Sequence, residues 1–444
     1  MSVGTTVERL PSRWLAVVPA AAVVGFAFAL EPPVGLGLTF LALGVVAWIC
    51  LPVSSVAMGL LVLCYAPEEF GQVAVLGRPE IPKLVLLVAL AVAAWQRGIV
   101  PLRALPVVAY LVAAVATHTF GHPTHGLTPI QALSSLVTLS LGWLAFAVAW
   151  DFRRDRQVLV VIMALPALCI AAGVALAAIG YTTVFSPDVA GGIPRLQGAA
   201  IPAQLALMAV AAVGTGCLWR RYERSLLLDA AIAANVAIAV LTVTRGAIVA
   251  MAILAVPFAA RFVRGVWAGR RPVWQLVVTA IGGCLALVAV ALLVSRRAFE
   301  RYYVPGQGYV GDSSSGRTEE WAELVSKALE QPLLGHGIGA GPVLGDASKG
   351  FLNQHNEYLR LFLEAGLLGG GLVLLALLVV LGVTVARASR HMRPEVAAFV
   401  AALLVYALTD NPFSIPSAIV PWMIAIGMLA PGRPDSRGEA RATP

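Results

Sequence analysis

Charged side chains are scarce in this sequence, at 12% of 444 residues, about half the share found in an ordinary soluble domain. Hydrophobic residues make up 59%. A soluble fold of this length could bury that much apolar surface only by leaving very few residues to face water. Cysteine is scarce too. The five thiols, Cys50, Cys64, Cys169, Cys217 and Cys284, all lie in or beside apolar runs, and no Cys-x-x-Cys spacing occurs. That excludes a disulfide framework and a thiolate metal site. Short alternating strands are missing, which excludes a membrane barrel. The net charge of +8 is accounted for by arginines that sit between apolar runs as membrane anchors, so no nucleic-acid partner is expected.

What the sequence has in abundance is apolar runs of about 17 to 25 residues, the length a helix needs to cross hydrocarbon. The mean hydropathy is +0.86. The expected fold class is all-α, a polytopic membrane protein with 12–14 transmembrane helices and a long outer loop containing an amphipathic helix. Candidate spans fall at 15–30, 35–50, 53–66, 82–96, 104–118, 128–150 and 157–180, then at 202–219, 226–243, 246–261, 273–294, 359–386, 396–410 and 414–430. The first run ends at Glu31-Pro32-Pro33, a poor cleavage site, so it reads as a retained span.

Charge orients these spans. With the amino terminus in the cytoplasm, arginine clusters at 9–13, 97–103, 153–156, 220–224, 261–271, 387–393 and 433–441 all fall inside. Their loops are short enough for the positive-inside rule to hold. Both termini are then cytoplasmic, and the long segment 295–356 faces outward. A loop of that length is usually functional. The chain divides into a transmembrane scaffold (1–180), a candidate catalytic region (181–386) including outer loop 295–356, a carboxy-terminal transmembrane hairpin (387–430) and a cytoplasmic tail (431–444).

Several polar groups break the charge rule. Arg245, in Leu241-Thr242-Val243-Thr244-Arg245-Gly246, stands where two apolar runs meet. A guanidinium there either snorkels to water or holds an anion, for which its donor fork suits phosphate oxygens. Arg195 sits in a Gly/Pro-rich outer segment, Gly191-Gly192-Ile193-Pro194-Arg195-Leu196-Gln197-Gly198, as a plain loop residue or a second anion contact. Arg317 opens an amphipathic helix with Trp321, Leu324, Val325, Ala328 and Leu329 on one face, expected to lie on the membrane or cap the spans. An arginine at the positive end of a helix dipole is out of place unless it shares an anion with the free amides. Beyond it, Pro332-Leu333-Leu334-Gly335-His336-Gly337-Ile338-Gly339-Ala340-Gly341 is not a dinucleotide fingerprint, because no strand precedes it. Its glycines suit a tight fold-back over the membrane face.

The densest polar cluster is Asn353-Gln354-His355-Asn356-Glu357-Tyr358-Leu359-Arg360, leading through Glu364 into a long span. Glu357, Arg360 and Glu364 share one stripe, where Arg360 can pair with either carboxylate. His355 is either an interfacial or capping residue or a general base, with Asn356, Glu357, Arg360 and Glu364 in supporting roles. His118, His122 and His125 are close enough to suggest a metal, but nothing nearby completes a site, so no metal and no cofactor are expected.

At these residues the sequence resembles the O-antigen ligase and polymerase superfamily of bacterial envelope glycosyltransferases. The resemblance rests on Thr244-Arg245-Gly246, Gly316-Arg317 with Trp321, Pro332 to Gly337, and His355-Asn356-Glu357-Tyr358 followed by Glu364 to Gly369. It covers roughly residues 190–370. It implies a GT-C-like fold and a metal-independent, inverting transfer of a glycan from a polyprenyl-diphosphate carrier on the outer face of the inner membrane. Carried over, Arg245, Arg317 and Arg195 bind the diphosphate and His355 activates the acceptor hydroxyl. The Ala199-Ala200-Ile201-Pro202-Ala203 stretch departs from the family's usual wording after Arg195. The expected partners are a polyprenyl-diphosphate-linked glycan, a lipid-linked sugar or growing polysaccharide as acceptor, and membrane lipids. A ligase is the first reading, a repeat-unit polymerase the second, and protein O-glycosylation a third. From another class, an anionic-lipid transporter or flippase would show inverted repeats, and none is evident.

Overall fold

The computed structural model describes residues 80–124, 126–178, 180, 183–186, 195–269, 303–304, 308–309, 317–344 and 355–430. The expected spans at 15–30, 35–50, 53–66 and 273–294, the tail 431–444, and Cys50, Cys64, Cys284 and His125 lie outside them.

Helix α1 (Glu80–Arg97) turns through a 3-10 segment (Pro101–Ala104) into α2 (Leu105–Phe120), followed by α3 (Pro129–Ala147) and α4 (Arg156–Ala178). Two paired dipeptides, β1 (Phe185–Ser186) and β2 (Arg195–Leu196), precede α5 (Pro202–Trp219), α6 (Leu226–Leu241) and α7 (Arg245–Trp267). A second pair, β3 (Tyr303–Val304) and β4 (Gly308–Tyr309), is followed by α8 (Arg317–Glu330) and a single turn, α9 (Gly341–Leu344). The described chain then runs through α10 (Glu357–Arg387), α11 (Arg393–Tyr406), a 3-10 turn (Pro412–Ser414) and α12 (Pro416–Leu429). Both dipeptide pairs are antiparallel, and the architecture is all-α.

Ten of the expected spans correspond to these helices. Six are long and apolar enough to cross a membrane: the stretch from Pro101 to Phe120, α3, α4, α5, α7 and α10. Helices α6 and α12, at 16 and 14 residues, are apolar but shorter than the ~20 residues of a full crossing. Proline lies inside α4, α7 and α12, at Pro166, Pro257 and Pro421. Such breaks are tolerated where packed neighbours satisfy the freed backbone. Starts are marked by local chemistry. Thr128 and Gln131 form a capping box for α3, and Ser225 accepts from Leu228 N at the start of α6.

Helix α5 is the centre of the bundle, buried along nearly its whole length. Its small residues allow this, since close approach of backbones is what packs helices when lipid is the solvent. A Cβ at Gly214 would lie 2.1 Å from the Phe399 ring, and one at Gly216 would lie 2.5 Å from Ile232. Helices α11 and α12 belong to this core. The former packs against α7, the latter against α3 and α5, and Phe399 stacks on Trp422 at 4.9 Å.

Polar contacts gather at the two ends of the bundle. At one end Arg97 meets the buried Asp155 at 2.5 Å, Arg221 and Arg261 both pair with the buried Glu395, and Tyr222 donates to Leu429 O at 2.7 Å. These are the arginine-rich loops. The opposite end carries residues 121–124 and 126–128, the β1–β2 pair, the turn at 242–244, the glycine-rich segment 332–341 and the chain from His355 into α10.

Candidate active site

The site-bearing end is built around an interruption in α10. Gly366 has φ +64° inside that helix, so the regular ladder breaks there. The orphaned backbone groups are taken up by the glycine-rich segment. His336 N donates to Leu363 O and Gly337 N to Glu364 O, both at 2.9 Å, while Leu367 N donates to Pro332 O at 2.8 Å and Leu368 N to Leu333 O at 3.1 Å. Four groups that hydrocarbon would leave unsatisfied are thereby paired. Such closeness needs glycine on both sides. A Cβ at Gly335 (φ +72°) would stand 2.5 Å from Gly366 N.

This docking fixes α8. Leu324 and Ala328 are buried against Leu363, with Trp321 and Phe362 beside them, so the amphipathic helix caps the long span, one of its two expected placements. Its buried face is narrower than its periodicity suggests, since Val325 and Leu329 are exposed. Arg317 is the first residue of α8, as expected, while Gly311 to Gly316 lie outside the described residues. His336 is buried and its Nε2 lies 2.8 Å from Lys327 O. His118 lies against Gly337, and Thr124 N donates to His336 O at 2.9 Å. These contacts make His118 and Thr124 part of the packing of the cap. Among the described residues, no group of three or more His, Cys, Asp or Glu could hold a metal ion.

His355 stands just ahead of α10, with φ +32°. The helix cap is Asn356, whose Oδ1 accepts from Tyr358 N at 3.0 Å and Leu359 N at 3.1 Å. That frees the imidazole from a capping role. Its Nδ1 is 3.6 Å from Asp410 Oδ1, a contact between neighbours that is too long for a hydrogen bond. Asp410 lies in Thr409-Asp410-Asn411-Pro412, between α11 and α12, and is buried. Sequence reasoning missed it. The available signal was an acid at the end of an apolar run, where ionisable groups are functional candidates.

Glu357, Arg360 and Glu364 do form one buried stripe. Arg360 Nε donates to Glu357 Oε2 at 2.7 Å, and its Nη1 is 3.9 Å from Glu364 Oε2. The other oxygen of Glu357 accepts from Phe413 N at 2.7 Å and Ser414 N at 3.0 Å. Glu357 thus ties the start of α10 to the turn that follows Asp410, and Glu357 N donates to Ala407 O at 2.9 Å. The stripe sets the frame in which His355 and Asp410 face each other.

Arg245 is the first residue of α7 and is exposed. Its neighbour Gly246 touches the end of α11, where a Cβ would lie 2.7 Å from Thr409 Oγ1. The Arg245 turn and the Asp410 loop are therefore adjacent. Arg195 reaches the same turn: its Nε donates to Thr242 O at 3.0 Å and one Nη to Thr244 Oγ1 at 3.1 Å. The structure thus brings Arg195, Arg245, His355 and Asp410 to one end of the bundle.

No curated protein matches the chain significantly. A family model described as O-antigen ligase matches residues 230–374, from the first turns of α6 through α7 and α8 to the broken part of α10. The chain thus carries, over these residues, a domain that matches O-antigen ligase.

Proposed function

We propose that this protein is a membrane glycosyltransferase that moves a glycan from a polyprenyl-diphosphate donor to the hydroxyl of a lipid-linked sugar acceptor. The observation that carries the reading is His355, beside the buried Asp410 and at the same end of the bundle as Arg245. In this scheme neutral His355 takes the proton of the acceptor hydroxyl. The oxygen attacks the anomeric carbon, the bond from that carbon to the diphosphate oxygen breaks, and the anomeric configuration inverts. Asp410 stabilises the imidazolium formed, as an orienting carboxylate does for a histidine base. Arg245 and Arg317 take up the charge on the departing polyprenyl diphosphate. The arginine-rich loops at the opposite end favour a cytoplasmic placement for that end, which turns the site to the outer face. No metal, cofactor or nucleotide enters this scheme, because the activated lipid supplies the energy.

The test is transfer by the purified, reconstituted protein given polyprenyl-diphosphate glycan with and without a separate lipid-linked sugar. The ligase reading expects product on the separate acceptor alone. Long chains growing on the carrier without that acceptor would reject it in favour of a polymerase, and transfer to neither would reject both.

A further inference from the structure

Arg195 is placed to act on the chain that leads into α7. Its Nε and one Nη donate to Thr242 O and Thr244 Oγ1, two residues that flank Val243. Val243 has φ +52°, a left-handed backbone that a β-branched residue adopts only under constraint. Thr244 is the N-cap of α7, yet its side chain makes no capping bond. Its hydroxyl accepts from Arg195 and points toward Pro202 O at 3.5 Å. The arginine is itself held from behind. Leu196 pairs with Phe185, and Gly198 is pressed so closely on α4 that a Cβ at Gly173 would lie 2.2 Å from its carbonyl carbon.

We infer that Arg195 is a positioning residue, which clamps the strained Thr242–Val243–Thr244 turn and so sets where α7 begins and where Arg245 stands. The inference rests on the proposed role of Arg245 in holding the donor diphosphate. It reassigns Arg195 from a ligand of that diphosphate to the support of the residue that binds it. A lysine could not replace it, because one ammonium group lacks the fork that spans a carbonyl and a hydroxyl on either side of Val243.

If the clamp exists to hold a left-handed residue, an amino acid that accepts that conformation should make the clamp dispensable. Asparagine does so far more readily than valine. The experiment compares wild type, Arg195→Ala, Val243→Asn and the double variant in full-length reconstituted protein. It reads binding of a glycan-free polyprenyl diphosphate, glycan transfer and thermal midpoint. Arg195→Ala is expected to lose about tenfold or more in binding and transfer, equivalent to about 1.4 kcal/mol. Val243→Asn alone stays near wild type, and the double variant regains most of the loss. A double variant as weak as Arg195→Ala, with all proteins folded, overturns the clamp and returns Arg195 to the ligand itself. So does an Arg195→Ala protein with wild-type binding. Should Arg195→Ala fail to fold, Thr244→Val removes one acceptor while leaving the arginine. It should show the same loss and the same rescue, and unimpaired binding in that variant also overturns the clamp. A wild type that neither binds the lipid nor transfers glycan defeats the proposed function and the clamp together. An active wild type without rescue defeats the clamp alone.

Discussion

His355 occupies a backbone conformation with φ +32°, outside the helix that Asn356 caps. Its ring lies beside Asp410, with Nδ1 3.6 Å from Oδ1. The expected consequence is that Asp410→Asn lowers glycan transfer by about 10²-fold or more, as loss of an orienting carboxylate does for a histidine base. Binding of polyprenyl diphosphate should stay unchanged. Initial rates at saturating donor check this, and an unaltered rate would remove Asp410 from the mechanism. His355, Asn356, Glu357, Arg360 and Glu364 were all legible in the sequence, because polar residues crowd into the opening of one apolar run. Asp410 was not legible, because only the return of α11 toward the start of α10 brings it to His355. Nor could spacing reveal that Arg195 bonds Thr242 and Thr244, since that depends on the fold of three separate segments.

The elements themselves were readable from hydrophobic run length. The boundaries expected for α5 coincide with those observed, and those for α4 and α10 differ by one or two residues. What run length could not show is the interruption of α10, because Leu367 and Leu368 continue the apolar pattern straight past Gly366. The break exists only because the segment from Pro332 to Gly337 supplies partners for the backbone it exposes. Gly366→Ala is expected to destabilise the protein by roughly 1–3 kcal/mol from the left-handed backbone alone. The Cβ would also stand 2.4 Å from the Leu333 carbonyl. The thermal midpoint should fall by several degrees, and protease sensitivity should appear between α8 and α10. Gly371→Ala is the control. A Cβ there meets nothing within 4 Å, so ordinary helix propensity makes the change neutral or stabilising by up to about 1 kcal/mol. Equal losses in both variants would show that the break is not a designed joint.

At the scale of the whole molecule, the fold separates a charge-paired end from a glycine-rich, site-bearing end. Arginine spacing gathered the clusters at 97–103, 220–224 and 261 on one face, but their pairing with Asp155, Asp229 and Glu395 there is seen only in the fold. Spacing could not foretell that the carboxy-terminal pair would be core. Helices α11 and α12 close the centre of the bundle around α5, and the loop between them delivers Asp410. The proposed site therefore draws on a residue beyond the matched 230–374. In the proposed reaction everything turns on His355 as the base that activates the acceptor. The most direct measurement is glycan transfer by reconstituted His355→Ala beside wild type, with polyprenyl-diphosphate binding followed in the same preparations. Loss of the base should lower transfer by about 10² to 10⁴-fold with donor binding intact. Transfer at the wild-type rate by His355→Ala would contradict that role.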